Sequence, residues 1–268
     1  MTNDMYPKVS VITITMNSAA TLEKTLQSVL NQRYPSLEYI VIDGGSTDGT
    51  VEIIKKYAPE LAYWISEPDD GIADAWNKGI RRASGDIVHI LNSDDWHDSD
   101  TIKHAVDFLS NTEMCGFVFG NLFKEEWDGG QRLILGDPAY AEKIRCQFPR
   151  ILHPTVFIRH DVYRKYGLYD INYKVACDYE YLLRLSLNNI KGGYCPKLYC
   201  FMGDEGVSAR NYILSHREVM NISIKYGYPR WKAWLRFLRN IIQSSILRGL
   251  VQLKIYWIIR WVRQLMGE

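Results

Sequence analysis

The sequence predicts an α/β protein built on a mostly parallel, doubly wound sheet. Its first hundred residues alternate four times between an apolar, strand-length run and a segment with polar positions. Such alternation is typical of strand–helix–strand units with helices covering both faces of the sheet. The chain has 268 residues, of which 47% are apolar and 24% charged, which fits one large domain or one domain with an appendage.

The four units show similar patterns. VSVITIT (9–15) is nearly all apolar and β-branched, as expected for a strand buried on both faces. Segment 18–32 has leucine and valine at helical spacing, which predicts a helix. The remaining units are strand 37–43 with helix 46–57, strand 61–66 with helix 71–83, and strand 86–91, followed by a loop and a helix from Thr101.

The second half predicts mixed α and β structure that shares the same sheet. Helix 178–188 is amphipathic, with Glu180 and Arg184 spaced to pair on its surface. The other predicted elements are strands 116–123, 131–136, 153–159 and 192–202, and a short helix over 160–167.

Charge is distributed unevenly along the chain. Residues 1–218 hold 30 acids and 23 bases, whereas residues 219–268 hold 9 bases and 1 acid. This predicts an acidic body over 1–218 and a separate basic, helical tail over 219–268. The net charge of +1 gives no reason to expect a nucleic-acid partner.

The basic tail has the composition of a helix at a membrane surface. Trp231, Trp234, Trp257 and Trp261 lie among leucine, isoleucine and regularly spaced bases. That pattern is typical of peripheral binding to an anionic bilayer. Two ordinary helices packed on the body are the alternative, and nucleic-acid binding is a weaker one because the bases are spread through an apolar stretch.

Cysteine usage and the N-terminus predict a cytoplasmic protein. The five cysteines show no CxxC or zinc spacing, which indicates reduced thiols. No signal-peptide pattern precedes the first strand, and no uncharged apolar run reaches eighteen residues. We therefore expect no spanning helix.

Polar residues follow the carboxyl ends of the predicted parallel strands. They are Asn17, Asp43, Glu67 to Asp70, and Asn92 to Asp95. Ligands of open parallel sheets bind at this edge. No strand is followed by GxGxxG, which argues against a dehydrogenase-type dinucleotide domain.

Adjacent carboxylates at Asp94 and Asp95 suggest a cation site. Like charges repel, and Mg²⁺ or Mn²⁺ prefers oxygen ligands, often one or two carboxylates together with substrate phosphates. The alternative is a turn before the helix at Thr101, since aspartate is common in turns.

Four segments together resemble the inverting glycosyltransferases of family 2, which have the GT-A fold. The quoted runs are PKVSVITITMNSAATLEKTLQSVLNQRYPSLEYIVIDGGSTDGT, EPDDGIADAWNKGIRRASGDIVHILNSDDW, HPTVFIRHDVYRKYGLYD and DYEYLLRL. The resemblance covers roughly residues 7–208 and is densest over 7–96. It implies a Rossmann-like GT-A sheet with a nucleotide-binding half over 1–98 and an acceptor-binding half over 99–218.

The resemblance assigns the acidic residues to a nucleotide-sugar donor. Its acidic motif falls on Asn92, Ser93, Asp94 and Asp95, so Asp94 and Asp95 would hold Mn²⁺ or Mg²⁺ and the diphosphate–ribose end of the donor. Relatives often have aspartate where this chain has Asn92. The implied donor is a UDP-sugar.

Four further positions are assigned to the donor by the same resemblance. Asp43 matches an acid near the nucleobase, although relatives often carry a second acid where this chain has Gly44. Thr15 and Asn17 border the base, and Lys78 lies where relatives place a cation near the diphosphate. A turn cap at Asp43, a helix cap at Asn17 and a solvated charge at Lys78 are the alternatives.

The acceptor side is assigned to the second half of the chain. Asp178 matches the catalytic base of relatives, a carboxylate that takes the acceptor hydroxyl's proton; the alternative is an ordinary helix cap. Glu180 is the reserve candidate, although pairing with Arg184 is the simpler role. His153 matches a histidine that faces the acceptor or the phosphates, with a structural role as the alternative, and loop 203–208 matches a lid.

These assignments predict an enzyme acting on surface polysaccharide, peripheral on the inner face of the cell membrane. Its acceptor would be a glycan or a polyprenyl-diphosphate-linked sugar. A sugar nucleotidyltransferase is the second possibility, but it needs a glycine-rich basic loop that is absent from the N-terminus. A non-catalytic module that binds nucleotide sugars or membranes is the third.

Overall fold

The computed structural model describes residues 6–126, 129–203 and 210–253. Its strands are β1 Val9–Thr15, β2 Leu37–Asp43, β3 Tyr63–Ser66, β4 Ile87–Asn92, β5 Asp95–His97, β6 Cys115–Glu125, β7 Gln131–Ile134, β8 Phe157–Arg159 and β9 Lys191–Met202. Its helices are α1 Leu22–Leu30, α2 Thr50–Tyr57, α3 Ile72–Arg82, α4 Thr101–Ser110, α5 Tyr140–Lys143, α6 His160–Tyr166, α7 Cys177–Leu187, α8 Tyr212–Lys225 and α9 Arg230–Gln252.

The described strands form one nine-stranded sheet in the order β3-β2-β1-β4-β8-β6-β9-β5, with β7 paired on β6. The first four are parallel, and β8 joins them antiparallel to β4. Strand β5 pairs with β9 at the far end of this order, although it follows β4 closely in the chain. His89 of β4 and His97 of β5 nevertheless lie 2.8 Å apart between their Nε2 atoms, so the sheet curls and brings its far edge back to β4.

Apolar side chains pack on both faces of the parallel half. Val11 and Ile12 are adjacent in β1 and fully buried, but they belong to different clusters because successive strand residues point to opposite faces. Val11 packs in the cluster that contains Leu26 of α1, and Ile12 in the one that contains Trp76 of α3. Burial on both faces explains why β1 reads as an unbroken apolar run.

The predicted helices over 18–32 and 46–57 begin later than their sequence pattern suggests, at Leu22 and Thr50. The prediction of a helix from residue 46 is wrong, because α2 begins at Thr50 after Gly49, whose φ is +100°. The Ser46 N–H and hydroxyl donate to Asp43, and the Thr47 N–H donates to Asn17 Oδ1 over 2.9 Å. These residues therefore join neighbouring loops instead of starting a helix.

The predicted strand over 153–159 is also shorter than expected. Residues His153–Thr155 form a 3₁₀ turn, and only Phe157–Arg159 pairs in the sheet. Pro154 explains the difference, since proline lacks the N–H that a central strand donates.

The C-terminal helices α8 and α9 form an antiparallel pair. Tyr212 and His216 of α8 contact Ser245 and Ser244 of α9, respectively, and Gly227 lies in the turn between the helices. The predicted boundary after residue 218 falls inside α8. Within the described ranges, no helix is both long enough and apolar enough to cross a bilayer.

Candidate active site

Strand register brings the predicted site residues to one edge of the sheet. Thr15 pairs with Asp43, Asp43 pairs with Ser66, and Ile14 pairs with Asn92, so the carboxyl ends of β1, β2, β3 and β4 are level. The loops that follow these strands therefore surround a common position, as the sequence predicts for a ligand site.

Asp43 is the centre of a loop network. It is fully buried, and its Oδ2 accepts hydrogen bonds from the N–H of Gly45 (3.1 Å) and Ser46 (2.9 Å) and from the Ser66 hydroxyl (2.6 Å). The Ser46 hydroxyl donates to its Oδ1. Both oxygens thus bind the chain itself, and Asp43 holds the β2 and β3 loops together.

Asn17 and Thr15 line the same edge from β1. Asn17 has a positive φ of 50°, its N–H donates to Ser46 Oγ over 2.7 Å, and its amide oxygen accepts from Thr47. Its side chain therefore ties the β1 loop to the β2 loop. The Thr15 hydroxyl is buried and has no hydrogen-bond partner in the described structure.

Asp69 is a carboxylate that the residue-by-residue assignment missed. An ideal Cβ placed on Gly44 would lie 2.5 Å from Asp69 Oδ2 and 3.5 Å from the sulfur of Met16. The carboxylate therefore fills the space where a side chain at residue 44 would begin. The acids after β3 in the run EPDD were the only sequence signal for it.

The acidic motif is held by its backbone and by Ser93, whose hydroxyl donates to Ser18 Oγ over 2.8 Å, while oxygens of Asn92 and Asp95 lack partners. The Thr25 hydroxyl lies 3.0 Å from the Ser93 carbonyl oxygen and 2.7 Å from that of Asp95. Asp95 is 1% exposed, and its Oδ1 and Asn92 Oδ1 are buried without hydrogen-bond partners in the described structure. The nearest internal contact is Asn92 Nδ2 to Asp95 Oδ2 at 3.5 Å, which is weak.

Burial disfavours the charged form of both aspartates. It raises the pKa of Asp95 well above its usual value, and the neighbouring charge of Asp94 raises it further. Burial also raises the pKa of Asp94, whereas the Arg210 guanidinium lowers it. Arg210 is thus a cation near the motif that the sequence reasoning missed.

The buried histidines near the motif do not compensate this charge. Burial lowers the pKa of His97 to about 3, and burial and the His97 ring lower the pKa of His89 well below its usual value. Both rings are therefore neutral near pH 7. The Arg210 guanidinium lowers the pKa of Asp94 and the Lys124 ammonium lowers that of Asp95, and a bound divalent cation would stabilise the two ionised carboxylates further.

The side chains at this edge fit a hard divalent cation that shares its ligands with a phosphate. Unpartnered buried oxygens of Thr15, Asn92 and Asp95 lie at the ends of β1 and β4, and Asp94 adds a second carboxylate. Oxygen donors suit Mg²⁺ and Mn²⁺. Over the described ranges, no cluster of three or more His, Cys, Asp or Glu could enclose a metal alone. A metal bound here would need ligands from the substrate.

Lys78 is paired with acids of its own neighbourhood. Its ammonium lies 2.9 Å from Glu67 and 3.5 Å from Asp74, and it donates to the Pro68 carbonyl oxygen over 2.9 Å. The side chain therefore joins α3 to the loop after β3. Contact with a diphosphate stays a prediction for this residue.

Asp178 lies in the first turn of α7 and is half-buried. Burial raises its pKa to about 7, while its bond from the Tyr179 N–H lowers it and the Glu218 charge raises it. A carboxylate with a pKa near the working pH is well suited to general base catalysis. The N-cap residue is Ala176, but Asp178 Oδ1 accepts from the Tyr179 N–H in the first turn over 2.8 Å, so a capping contact stands beside the proposed role of base. Glu218 binds the N–H groups of the three residues before the helix.

The start of α7 also reaches the ligand edge of the sheet. Lys174, three residues before the helix, donates from Nζ to the Asp70 carbonyl oxygen over 2.8 Å. Asp70 lies in the loop after β3, so the segment leading to Asp178 is anchored to the same loops that surround the strand ends.

His153 and Glu180 are in structural contacts. The His153 ring stacks on Trp76 with 4.4 Å between ring centroids, and burial lowers its pKa to about 4. Glu180 is 2% exposed, forms the expected ion pair with Arg184 at 3.0 Å, and accepts a hydrogen bond from the Tyr226 hydroxyl. Their roles toward an acceptor stay predictions.

The predicted lid over 203–208 lies mostly outside the described residues. Its first residue, Gly203, donates from its N–H to the Asp94 carbonyl oxygen over 3.1 Å. Residues 204–208 are not among the described residues, so the lid remains a prediction whose starting point adjoins the acidic motif.

The described structure has the fold of the GT-A glycosyltransferases. The structure resembles the mannosyltransferase PcManGT of Pyrobaculum calidifontis, solved in complex with GDP-Man and Mn²⁺, at a TM-score of 0.65, with 21% identity and coverage of 98% of this chain and 81% of that one. It also resembles residues 1–349 of TarS from S. aureus in complex with UDP-GlcNAc, at a TM-score of 0.63, with 21% identity over 91% of this chain and 75% of that one. It covers 43% of a longer TarS chain.

Sequence comparison identifies the family. The model described as "Glycosyl transferase family 2" matches residues 10–167, and the chain belongs to this family. It is 38% identical over 187 residues to an uncharacterised glycosyltransferase of Mycobacterium tuberculosis, covering 68% of this chain and 70% of the relative. It is also 38% identical over 122 residues to the teichuronic acid biosynthesis glycosyltransferase TuaG of Bacillus subtilis, covering 44% of this chain and 48% of TuaG.

Proposed function

We propose that this protein is an inverting, metal-dependent glycosyltransferase that moves a sugar from a nucleotide sugar to an acceptor hydroxyl. The observation that carries the proposal is the pair Asp94 and Asp95: Asp95 is buried, Asp94 is half-buried, both carboxyl groups have raised pKa values, and Asp95 Oδ1 has no hydrogen-bond partner in the described structure. A divalent cation would supply positive charge to this pair, and a nucleoside diphosphate would complete the ligands of that cation. A nucleotide sugar together with its divalent cation would therefore stabilise this site.

The residues divide the reaction between them. Asp94 and Asp95 would hold Mn²⁺ or Mg²⁺, which when bound neutralises charge on the leaving diphosphate. Asp178 accepts the proton of the acceptor hydroxyl as its oxygen bonds to the anomeric carbon. The bond from that carbon to the diphosphate breaks on the opposite side, the nucleoside diphosphate leaves with the electron pair, and the configuration inverts.

The donor is proposed to be a UDP-sugar, in keeping with the TarS complex. We propose that the nucleobase contacts the loop of residues 44–46. Asp43 holds this loop by accepting hydrogen bonds from Gly45 and Ser46, and Thr15, Asn17 and Asp69 border it. The GDP-Man complex of PcManGT makes a GDP-sugar the first alternative.

Replacing Asp178 with asparagine tests the proposed base. Donor turnover is first measured for UDP-, GDP- and dTDP-sugars with MnCl₂, and the best donor is used afterwards. We expect Asp178→Asn to lose about 10²–10⁴-fold in transfer, the usual contribution of a general base. Nucleoside diphosphate binding, measured by calorimetry, should be largely unchanged.

Asp161→Asn is the matched control for this substitution. Asp161 is an exposed acid in the first turn of α6, so its replacement should leave both transfer and binding at wild-type values. Full transfer activity in Asp178→Asn would remove Asp178 from the role of base.

The acceptor is proposed to be a glycan or a polyprenyl-diphosphate-linked sugar in surface polysaccharide synthesis. Support comes from the relative TuaG, named for teichuronic acid biosynthesis, and from the C-terminal helices. An enzyme that acts on a lipid-linked acceptor gains from being held at the inner face of the membrane.

Helix α9 has a surface suited to that location, which we call the α9 stripe. The stripe consists of apolar residues that are each at least half exposed and lie one, three, four or seven residues apart: Trp231, Trp234, Leu235, Leu238, Ile242 and Ile246, with Leu253 directly after the helix end. At 100° per residue these positions fall within about 120° of the helix circumference. Lys232 and Arg239 flank the stripe on one side and Arg230 and Arg248 on the other.

The charge around the α9 stripe favours an anionic bilayer over another occupant. No acid occurs between Glu218 and Glu268, so nothing in this part of the sequence repels anionic headgroups. An apolar stripe with bases on both sides is the pattern of a helix lying in the membrane interface. Trp257 and Trp261, which the sequence analysis includes in this surface, lie outside the described residues.

A further inference from the structure

Three consecutive backbone N–H groups converge on one buried carboxylate. Glu218, on α8, is 8% exposed. Its Oε1 accepts from the N–H of Lys174 over 2.9 Å, and its Oε2 accepts from the N–H of Val175 (2.9 Å) and Ala176 (2.8 Å). The residues that bind it lead directly into α7, so a side chain more than forty residues further along the chain holds the start of that helix.

This arrangement fixes the segment that leads to Asp178. The first N–H groups of a helix lack partners within the helix, and an aspartate in the first turn is a common partner for them. Here the N-cap Ala176 offers no side-chain cap, and Glu218 binds the N–H of Ala176 and those of the two residues before it, just ahead of the helix. Within the first turn, Asp178 Oδ1 accepts from the Tyr179 N–H over 2.8 Å.

We propose that Glu218 is the positioning residue of the base: it holds the three residues that lead into α7 and so fixes the place of the Asp178 carboxylate, and it keeps a negative charge that acts on that carboxylate. This inference rests on the proposed role of Asp178. It adds a residue from the C-terminal helices to the active site, outside the region that the family model matches.

Glu218 is the charged group among the described titratable groups that interact with Asp178. Burial is the largest cause of the raised pKa of Asp178, and the Glu218 charge raises it further. The other titratable groups that interact with Asp178 among the described residues are Cys177 of α7 and Tyr169 before it, and burial raises the pKa of each well above its usual value. Both are neutral near pH 7, so Glu218 is the charged neighbour in this set.

A double-mutant cycle measures this coupling without a substrate. The variants are Asp178→Asn, Glu218→Gln and the double variant, and the measurement is the thermal midpoint between about pH 4 and 8. Because the folded-state pKa of Asp178 is raised, the folded wild type loses stability as pH rises toward that pKa. Asp178→Asn avoids this loss, so its thermal midpoint should rise relative to that of wild type as pH rises. We call this difference in thermal midpoint the gain.

The gain from Asp178→Asn is expected to depend on Glu218. In the Glu218→Gln background the gain should be smaller and complete at lower pH, because the charge that raises the pKa of Asp178 is gone. The acid limb of kcat/KM for the best donor should likewise move to lower pH in Glu218→Gln. A role in capping alone would lower the midpoint at every pH and leave the gain unchanged, which overturns the proposal.

Glu38→Gln provides the matched control background. Glu38 is also held by a backbone N–H, from Ser84 over 2.8 Å, but it lies near the amino end of β2, away from the ligand edge. The gain from Asp178→Asn should be the same with Glu38→Gln as in wild type. An equal reduction in both backgrounds would show general loosening and contradict the proposal.

Glu218→Asp covers the case in which Glu218→Gln does not fold. It keeps the charge but draws it back by one methylene, so the gain should lie between those of wild type and Glu218→Gln, and an unchanged gain contradicts the proposal. The two proposals fail separately. If Asp178→Asn still transfers sugar, the role of Asp178 as the base is refuted. If Asp178→Asn is inactive but its gain does not depend on Glu218, only the positioning role of Glu218 is refuted.

Discussion

At the scale of single residues, the site residues serve either the chain or a ligand. The side chains of Asp43 and Asn17 form hydrogen bonds with loop residues, whereas Asn92 and Asp95 have buried oxygens without partners in the described structure. Buried polar groups are nearly always satisfied, so an exception of this kind points to a missing ligand. The sequence located both kinds of residue at the sheet edge but did not separate them, because the difference lies in contacts made across loops.

Asp95→Asn is expected to stabilise the metal-free protein. The folded-state pKa of Asp95 is raised, so the unfolded chain releases this proton at lower pH and stability falls as pH rises above about 4. The asparagine has no proton to lose. Its thermal midpoint without metal should exceed that of wild type at pH 7 by about 2–4 °C or more, and the difference should shrink toward pH 4.

Adding MnCl₂ with a nucleoside diphosphate should reverse this order, because the cation stabilises the ionised carboxylate only in wild type. Asp98→Asn, at an exposed acid of the following loop, is the control and should behave like wild type. An Asp95→Asn variant that is less stable than wild type at every pH would refute the charge argument.

At the scale of elements, apolar runs predicted the bounds of strands more accurately than capping residues predicted the starts of helices. The predicted strands 9–15 and 37–43 are confirmed in β1 and β2 with the same bounds. Helix α2 begins four residues late because the Ser46 N–H binds the Asp43 side chain and the Thr47 N–H binds Asn17 of the β1 loop, and such contacts leave no periodic signal in the sequence. Strand β5 has three residues, too few for any alternation to be visible.

Gly79→Ala separates helix propensity from packing. Alanine is favoured over glycine inside a helix by about 1 kcal/mol, so local propensity alone predicts stabilisation of α3. However, a Cβ at residue 79 would lie 2.3 Å from Ile12 Cγ2, in a fully buried part of β1. Overpacking of this kind costs about 1–3 kcal/mol, so we expect a net loss in the free energy of unfolding, measured with urea.

Gly249→Ala is the matched control in α9. A Cβ there would meet nothing within 4 Å, so the helix preference should act alone and stabilise the protein by up to about 1 kcal/mol. If both substitutions stabilise the protein, α3 does not pack on β1 as closely as described.

At the scale of the whole molecule, the order of the sheet was beyond the sequence analysis. Its parallel half follows from consecutive strand–helix units, but the pairing of β5 with β9 joins segments about a hundred residues apart. This pairing curls the sheet and sets the acidic motif beside Gly203, the first residue of the predicted lid. Similarly, the contact of Glu218 with the start of α7 links the C-terminal helices to the body through a residue at the predicted boundary.

The α9 stripe makes a prediction about the full chain. Wild type should sediment with vesicles that contain phosphatidylglycerol and not with vesicles of phosphatidylcholine alone, and binding should weaken as salt is raised, because the flanking bases contribute charge attraction. Leu238→Glu together with Ile242→Glu should reduce binding about tenfold or more, since it removes apolar contact and adds repulsion.

Leu135→Glu controls for the general effect of adding acid to an exposed apolar position, because Leu135 is 52% exposed and lies far from α9 in the chain. It should bind vesicles like wild type. Gel filtration of the same proteins examines the competing occupant, a second copy of the chain. Wild type that ignores anionic vesicles but is dimeric, with a monomeric Leu238→Glu and Ile242→Glu variant, would assign the α9 stripe to self-association and reject the membrane.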